Sequence, residues 1–293
     1  MNTTNSITIT FLSKVTFASL NGADKDVDNI NPIKKITLAN GQQLPYMSAQ
    51  ALRRALRDRL EEMGEQISVV TKGEGKAPST TQSDPEQYID DDLFGYMDAK
   101  GGKQRTSPVR VDALVGLSAY QGDLDFGTNY QAKDQGGDPN IFESEIHSGL
   151  YRGSLLIELD RIGQGRIVDG KVLDNQDYID NQLKASRVNK LIDAIQTLWS
   201  SGRQSRFLSD ISPKFVAAAW MNAKNPIFLE AVNYQDGQAN VAQLQTVVKD
   251  YANFIEDHVF AVQLGTLGEQ EGAMDLGEGF ARIKSWVNSY YGV

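Results

Sequence analysis

The sequence predicts an α+β fold of the ferredoxin-like type, the arrangement that RNA recognition motifs also use. Three observations carry this. The run from Ser6 to Phe17 sets Ile7, Ile9 and Phe11 against Thr8 and Thr10, the two-residue period of a half-buried strand. A capped amphipathic helix follows between Pro45 and Met63. With two polar stretches set aside, the remaining segments complete the order strand, helix, strand, strand, helix, strand. Fold alone does not give function.

Taken in order, residues 19–44 are polar and turn-rich, with Asp24, Asp26 and Asp28, then Lys34 and Lys35 ahead of a hairpin turn at Asn40-Gly41. In the helix, Ser48 is a natural N-cap and Gly64 a natural stop. Leu52, Ala55, Leu56, Leu60 and Met63 share the face that seeks a core. Gln50, Arg53, Arg54 and Arg57 fall on the opposite arc, and Arg59 points back toward the apolar face, where it snorkels or meets a carboxylate. Free N–H groups at a helix start beside several guanidinium groups make an anion site. The same residues also make an ordinary solvated face, paired with Asp58, Glu61 and Glu62, and both readings stand on the helix alone.

From Gly64 to Ser107 the hydrophobic period is lost. Lys72–Pro85 reads as a loop, and the stretch from Asp92 to Met97 as a short packed turn or helix. A strand is expected over Pro108–Ala119, an irregular stretch over Gln121–Ser148, and a strand over Leu150–Ile162. A loop as long as the second of these is uncommon unless functional or disordered. A helix is expected from about Tyr178 to Trp199, with a strand at Lys214–Trp220 and a shorter extended run at Ile227–Val232. Helices at Val241–Phe260 and Phe280–Tyr290 complete the chain.

The 293 residues are 40% hydrophobic and 23% charged, an ordinary globular balance able to bury a sizeable core. There is no cysteine, which excludes disulfides and thiolate metal sites, and two histidines, His147 and His258, make a histidine zinc site unexpected. No apolar run approaches the roughly 20 residues that span a bilayer, and the N-terminus lacks signal-peptide regions, so a soluble cytoplasmic protein is expected. A net charge of −9 argues against nonspecific DNA coating but permits a local basic groove. Lys34, Lys35, Arg53, Arg54, Arg57 and Arg59 are close in sequence, while acids crowd residues 84–98 and 123–145.

Enzyme motifs are missing. There is no phosphate loop, no His-Glu-x-x-His and no Gly-x-Ser-x-Gly, and Gly265, Gly268, Gly272, Gly277 and Gly279 lack dinucleotide spacing and read as loop glycines. Asp24, Asp26 and Asp28 suit either a divalent cation or a solvated acidic turn. His147 could be a general base but has no Ser or Cys nucleophile near it in sequence, and reads as a structural or surface residue. Phe126 and Phe142 are either stacking wedges on an exposed loop or anchors that hold it down.

The segment from Leu44 to Asp58 (Leu-Pro-Tyr-Met-Ser-Ala-Gln-Ala-Leu-Arg-Arg-Ala-Leu-Arg-Asp), preceded by Pro-Ile-Lys-Lys-Ile at 32–36, resembles the backbone subunit of type I CRISPR Cascade complexes. That is the DevR family of the RAMP superfamily, and the likeness is strongest to the type I-B branch. Arg-Thr-Ser-Pro-Val-Arg at 105–110, Asp-Pro-Asn-Ile-Phe-Glu-Ser-Glu-Ile at 138–146 and the run Leu150–Asp160 match in the same order. The resemblance implies a single ferredoxin-like palm over 1–293 with a finger insertion at about 64–107 and a thumb at about 120–149. Copies would stack along one guide RNA (the crRNA) as a helical filament with other Cascade subunits, and the guide would pair with a target DNA strand. The matched RNA-backbone contacts are Lys34, Lys35, Ser48, Gln50, Arg53, Arg54 and Arg57, with Phe126, Asn129 and Phe142 as base-displacing candidates on the thumb. No metal, cofactor or catalytic residue is expected. The alternative is a metal-dependent endoribonuclease using Asp24, Asp26 or Asp28, as in related RNA-targeting subunits.

Overall fold

The structure, a computed structural model, describes residues 4–24, 30–72, 79–98, 100–129, 136–137, 140–200 and 207–293. The chain begins with β1 (Ser6–Ala18), β2 (Ile30–Asn31), the hairpin β3 (Lys35–Thr37) and β4 (Gln43–Met47), and α1 (Ala49–Glu62). Next come α2 (Ile89–Phe94), β5 (Tyr96–Asp98), β6 (Lys103–Arg105), β7 (Val109–Val111) and β8 (Leu114–Gly116). A long hairpin joins β9 (Asp123–Asn129) to β10 (Asn140–Glu158), and a short one joins β11 (Arg166–Val168) to β12 (Lys171–Leu173). Then follow α3 (Asn181–Gln196), β13 (Pro213–Met221), β14 (Tyr234–Gln235), β15 (Gln238–Ala239), α4 (Val241–Asp250), β16 (Ile255–Val262), α5 (Leu264–Leu267), β17 (Met274–Asp275) and α6 (Leu276–Tyr291).

The fold is mixed α and β, built on one large sheet. Its path runs β17-β16-β13-β1-β10-β8-β4-β3, with β2, β7 and β9 also paired to β10. β1 is antiparallel to both β10 and β13, and β7 and β8 are antiparallel to β10. Helices α1, α3 and α6 cover one face. There Ile7, Ile9 and Phe11 of β1 meet Leu52, Leu56 and Leu60 of α1, Leu191 and Ile195 of α3, and Phe280 and Ile283 of α6. Each buried leucine contributes roughly 1.5–3 kcal/mol relative to exposure.

The opposite face of the sheet is covered too, which the alternation in β1 did not anticipate. Leu12, Phe215, Ala217, Phe260 and Val262 pack under Phe228, Val232, Leu244 and Leu267 from the layer that follows β13. Thr8 and Thr10, expected to face water, are fully buried. Part of this polarity is satisfied internally: Thr10 shares a 2.9 Å hydrogen bond with Ser154, and the Ser13 hydroxyl donates to the Ile211 carbonyl at 2.6 Å, while the Thr8 hydroxyl has no partner among the described residues.

Several expected boundaries move. Residues 255–260, read as the end of the helix Val241–Phe260, belong instead to β16 (Ile255–Val262), because their apolar run pairs along β13. Residues 227–231, read as extended, are turns that push Phe228 inward. The strand expected at 108–119 is two short strands, β7 and β8, and the irregular stretch before residue 149 is largely β9 and the first half of β10. Gly277 and Gly279, read as loop glycines, lie in the first turns of α6, where Gly279 lets the helix close on Ala261. A four-stranded sheet, β12-β11-β6-β5, joins residues 96–105 to 166–173. The region after α1 is therefore not built from 64–107 alone.

Candidate nucleic-acid interface

The start of α1 is tied to two other segments. Ser48 caps the helix, its hydroxyl accepting from the Ala51 N–H at 3.4 Å, while its own N–H donates to Asn21 Oδ1 at 3.0 Å. The Asn21 carbonyl accepts from the Lys34 N–H at 2.9 Å, and the Lys34 carbonyl from the Tyr46 N–H at 2.9 Å. Asn21 after β1, Lys34 and Ser48 thus form one continuous surface at a helix N-terminus. The Asn40-Gly41 hairpin is present and leads directly into it.

The arginines of α1 divide sharply. Arg59 lies with its guanidinium 4.5 Å over the Trp199 ring and is paired with Glu62, so it is a packing residue. Arg57 turns inward: its Nε donates to Asp90 Oδ2 at 2.9 Å and its guanidinium stacks on Phe94. Arg54 is 65% exposed, in an i,i+4 pair with Asp58 at 2.7 Å that an anion can displace at little cost. Arg53 has no ion pair among the described residues, whereas each of the other three is paired with a carboxylate. It is partly buried, and its Nε, like that of Arg59, is shielded from solvent without a hydrogen-bond partner among the described residues. Burial and then repulsion from Arg57 hold its pKa below the usual arginine range. Gln50 is exposed beside it.

Lys35 is also committed. Its ammonium donates to both carboxylate oxygens of Glu145, at 2.8 and 2.6 Å, and sits 4.3 Å from the centre of the Tyr120 ring. Burial, reinforced by Glu145, pushes the Tyr120 hydroxyl up to about 12. Of the seven expected backbone contacts, Ser48, Lys34, Gln50, Arg53 and Arg54 lie at or near the helix start, Ser48 engaged as the cap and Arg54 in its exposed pair with Asp58. Lys35 and Arg57 are internal ties.

The β9–β10 hairpin stands off the sheet beside this surface. Residues directly opposite in an antiparallel pair point to the same face. Phe142 faces Gly127, where any side chain would collide with its ring, so Phe142 lies across the glycine as an anchor. Leu124 and Phe126 point the other way and are 50% and 58% exposed. The side chain of Asn129 lies outside the described residues. At the hairpin base the Tyr151 hydroxyl and His147 Nδ1 share a 2.8 Å hydrogen bond, and burial lowers the His147 pKa. His147 is thus structural, as its sequence context suggested.

The residues missed by sequence reasoning form a buried ionic hub. Asp92 Oδ1 accepts from Arg105 Nη2 at 2.7 Å, Tyr178 Oη at 2.8 Å and the Gly163 N–H at 3.0 Å, while Oδ2 accepts from Arg187 Nη1 at 2.8 Å. Arg105 then donates to the carbonyls of Asp92, Arg161 and Gly165. Arg187 donates to those of Pro85 and Glu86, both at 2.6 Å. The hub fastens the small four-stranded sheet to α3.

The acidic residues weighed as metal ligands lie partly beyond what the structure describes. Asp24 is exposed, and Asp26 and Asp28 lie outside the described residues. Among the described residues no group of three or more His, Asp or Glu side chains is placed to hold a metal ion, and no helix is long and apolar enough to cross a membrane.

Residues 8–228 match the family model described as the CRISPR-associated negative auto-regulator DevR/Csa2. The chain belongs to the DevR/Csa2 family. The matched region runs from β1 to the turns after β13, so it holds the whole basic surface, the long hairpin and the hub, and leaves β16 and α6 beyond its end. A curated relative from Myxococcus xanthus (strain DK1622), the CRISPR-associated protein Cas7/Cst2/DevR, is 27% identical over 210 residues, 64% of this DevR/Csa2 chain. The chain spans 63% of that relative's length. In fold it is similar to a chain of a CRISPR RNA-guided surveillance complex in a pre-nicking state, with a TM-score of 0.63 at 13% identity over 97% of this chain and 99% of that one. A second surveillance-complex chain gives 0.59 at 17% identity, over 96% and 99%.

Proposed function

We propose that this DevR/Csa2 chain is the guide-RNA-binding backbone subunit of a DNA-targeting CRISPR surveillance complex. It polymerises along the guide and holds it for pairing with a target DNA strand, and it does not cleave. Base pairing then carries sequence specificity while the protein reads backbone and shape. The palm is ferredoxin-like, supported by the order β13-β1-β10 followed by β7 and β8, with α1 and α3 as the two crossover helices. The small sheet is the finger and the β9–β10 hairpin the thumb, with Phe126 as the base-displacing residue because its ring is free where Phe142 is engaged.

The observation that carries the RNA reading is Arg53. A half-buried guanidinium with an unpartnered Nε, next to a second arginine, gains both a hydrogen bond and charge relief from a phosphate. Lys34, Ser48, Gln50 and Arg54 complete the contact. Lys35 and Arg57, though matched by the family resemblance, are assigned to bracing, because Glu145 and Asp90 already hold them. Arg53→Ala should weaken binding to single-stranded RNA of any sequence and flatten the slope of log affinity against log salt by about 0.7. Glu61→Ala, an exposed change on the same helix, should leave both unaltered. Unchanged affinity and slope for Arg53→Ala would remove α1 as the phosphate site.

A further inference from the structure

The contacts of Lys35 point to a role that the phosphate-binding surface does not cover. The short segment Ile30–Lys35 touches the long hairpin on one side and the start of α1 on the other. Toward the hairpin, β2 runs parallel to Glu143 and Ser144 of β10, and Asn31 Nδ2 donates to the Glu143 carbonyl at 2.9 Å. The Ile33 N–H donates to Glu145 Oε2 at 2.9 Å, and Lys35 grips both oxygens of the same carboxylate. Toward α1, Lys34 is bonded through its backbone to Asn21 and Tyr46, and Asn21 receives the Ser48 N–H. The side chains of Lys35 and Glu145 are only 19% and 16% exposed, so solvent screens their pairing little.

The hairpin needs such a brace. Beyond residue 147, toward its tip, β10 loses β1 as a neighbour, and the β1–β10 register shifts between Val15 and Ala18. A bulge of this kind bends a strand and weakens the ladder at that point. Among the described residues, the part of β10 that carries Glu143 and Glu145 is paired only with β9 and the two residues of β2.

We propose that Lys35 is a positioning residue: its ion pair with Glu145 fixes the angle of the β9–β10 hairpin relative to α1, and so sets where the hairpin crosses a strand bound at the helix start. The functional half of this inference rests on the RNA-binding reading above; the mechanical half does not. Lys35→Met keeps most of the side-chain volume and removes the charge, whereas Lys35→Arg keeps the charge and a donor for Glu145.

The chain has no cysteine, so nitroxides on Thr128→Cys in the hairpin and Glu61→Cys in α1 report one distance. The starting protein and Lys35→Arg should each give a single narrow distance distribution, and Lys35→Met should lose it while the circular dichroism of the palm is retained. With RNA bound, Lys35→Met should lose the periodic base reactivity of the strand at an unchanged salt slope. A narrow distribution in Lys35→Met overturns the brace. A salt slope flattened by about 0.7 overturns it as well, since Lys35 would then be a phosphate contact. If the protein binds no RNA at all, the RNA-binding reading fails, and the distance measurement still decides the brace.

Discussion

Replacing Asp92 by Asn keeps its shape and removes one charge from the centre of the hub. Asp92 and Arg105 have fully buried side chains, and that of Arg187 is 5% exposed, so neither arginine can recover its lost partner from water. Among the described residues their other acceptors are backbone carbonyls, which supply hydrogen bonds and no countercharge. Breaking a buried pair by removing one partner costs about 3–5 kcal/mol, and here one substitution orphans two arginines. The loss should therefore be about 5 kcal/mol or more, which against a domain stability of about 5–15 kcal/mol brings the protein close to unfolding. Urea denaturation measures it, with the slope unchanged if the transition stays two-state. Replacing all three charges at once, with Asp92→Leu, Arg105→Met and Arg187→Met, should regain much of the stability, because the penalty lies in the unpaired charge. Asp58→Asn, which breaks only the pair with exposed Arg54, should cost less than about 1 kcal/mol. A loss below about 1 kcal/mol for Asp92→Asn would refute the claim that the hub is a tightly desolvated ion pair.

Two further predictions follow from the hairpin and its base. Excising residues 122–146 and closing the gap with a short Gly-Ser linker should leave a cooperative thermal transition, because the main cores draw no residue from that stretch. RNA should still bind while periodic base reactivity disappears; failure to fold would place the hairpin in the core. Both histidines sit below their ordinary value of 6.5 because burial disfavours the imidazolium. The unfolded chain therefore takes up protons before the folded one, and stability that is full above about pH 6.5 should fall as the pH drops below it. Urea midpoints at successive pH values measure this decline, and His147→Gln should make it shallower; an unaltered slope would mean that His147 is not buried as the neutral ring.

α1 was legible in the sequence because every signal for it is local: Ser48, Gly64 and a 3.6-residue apolar period lie within seventeen residues, and Leu52, Ala55, Leu56 and Leu60 are buried as expected. Only Met63, past the last full turn, stays exposed. Residues 255–262 were not legible, since a short apolar run fits a helix as well as a strand until its neighbour is known, and that neighbour, β13, lies some forty residues away in sequence. The hairpin β11–β12 did carry a signal: Asp169-Gly170, both at positive φ, between Ile167-Val168 and Lys171-Val172. The hub carried none. Asp92 opens the stretch expected as a short packed turn or helix, but nothing local marks Asp90 or Asp92 as the centre of an ionic cluster, because their partners Arg57, Arg105, Tyr178 and Arg187 arrive from four separate segments. The same dependence hid the division among the arginines: whether a helix arginine is free or engaged is decided by Asp90 and Trp199, not by its place on the helical arc.

On the proposed function the chain coats RNA as repeated copies without cutting it. Its most direct test is a mass measurement of the complexes formed with single-stranded RNAs of increasing length, in the presence of magnesium. The number of bound copies should rise in step with RNA length while the RNA stays intact. One copy per strand at every length, or strands that are shortened in a reaction abolished by Asp24→Ala, would contradict it.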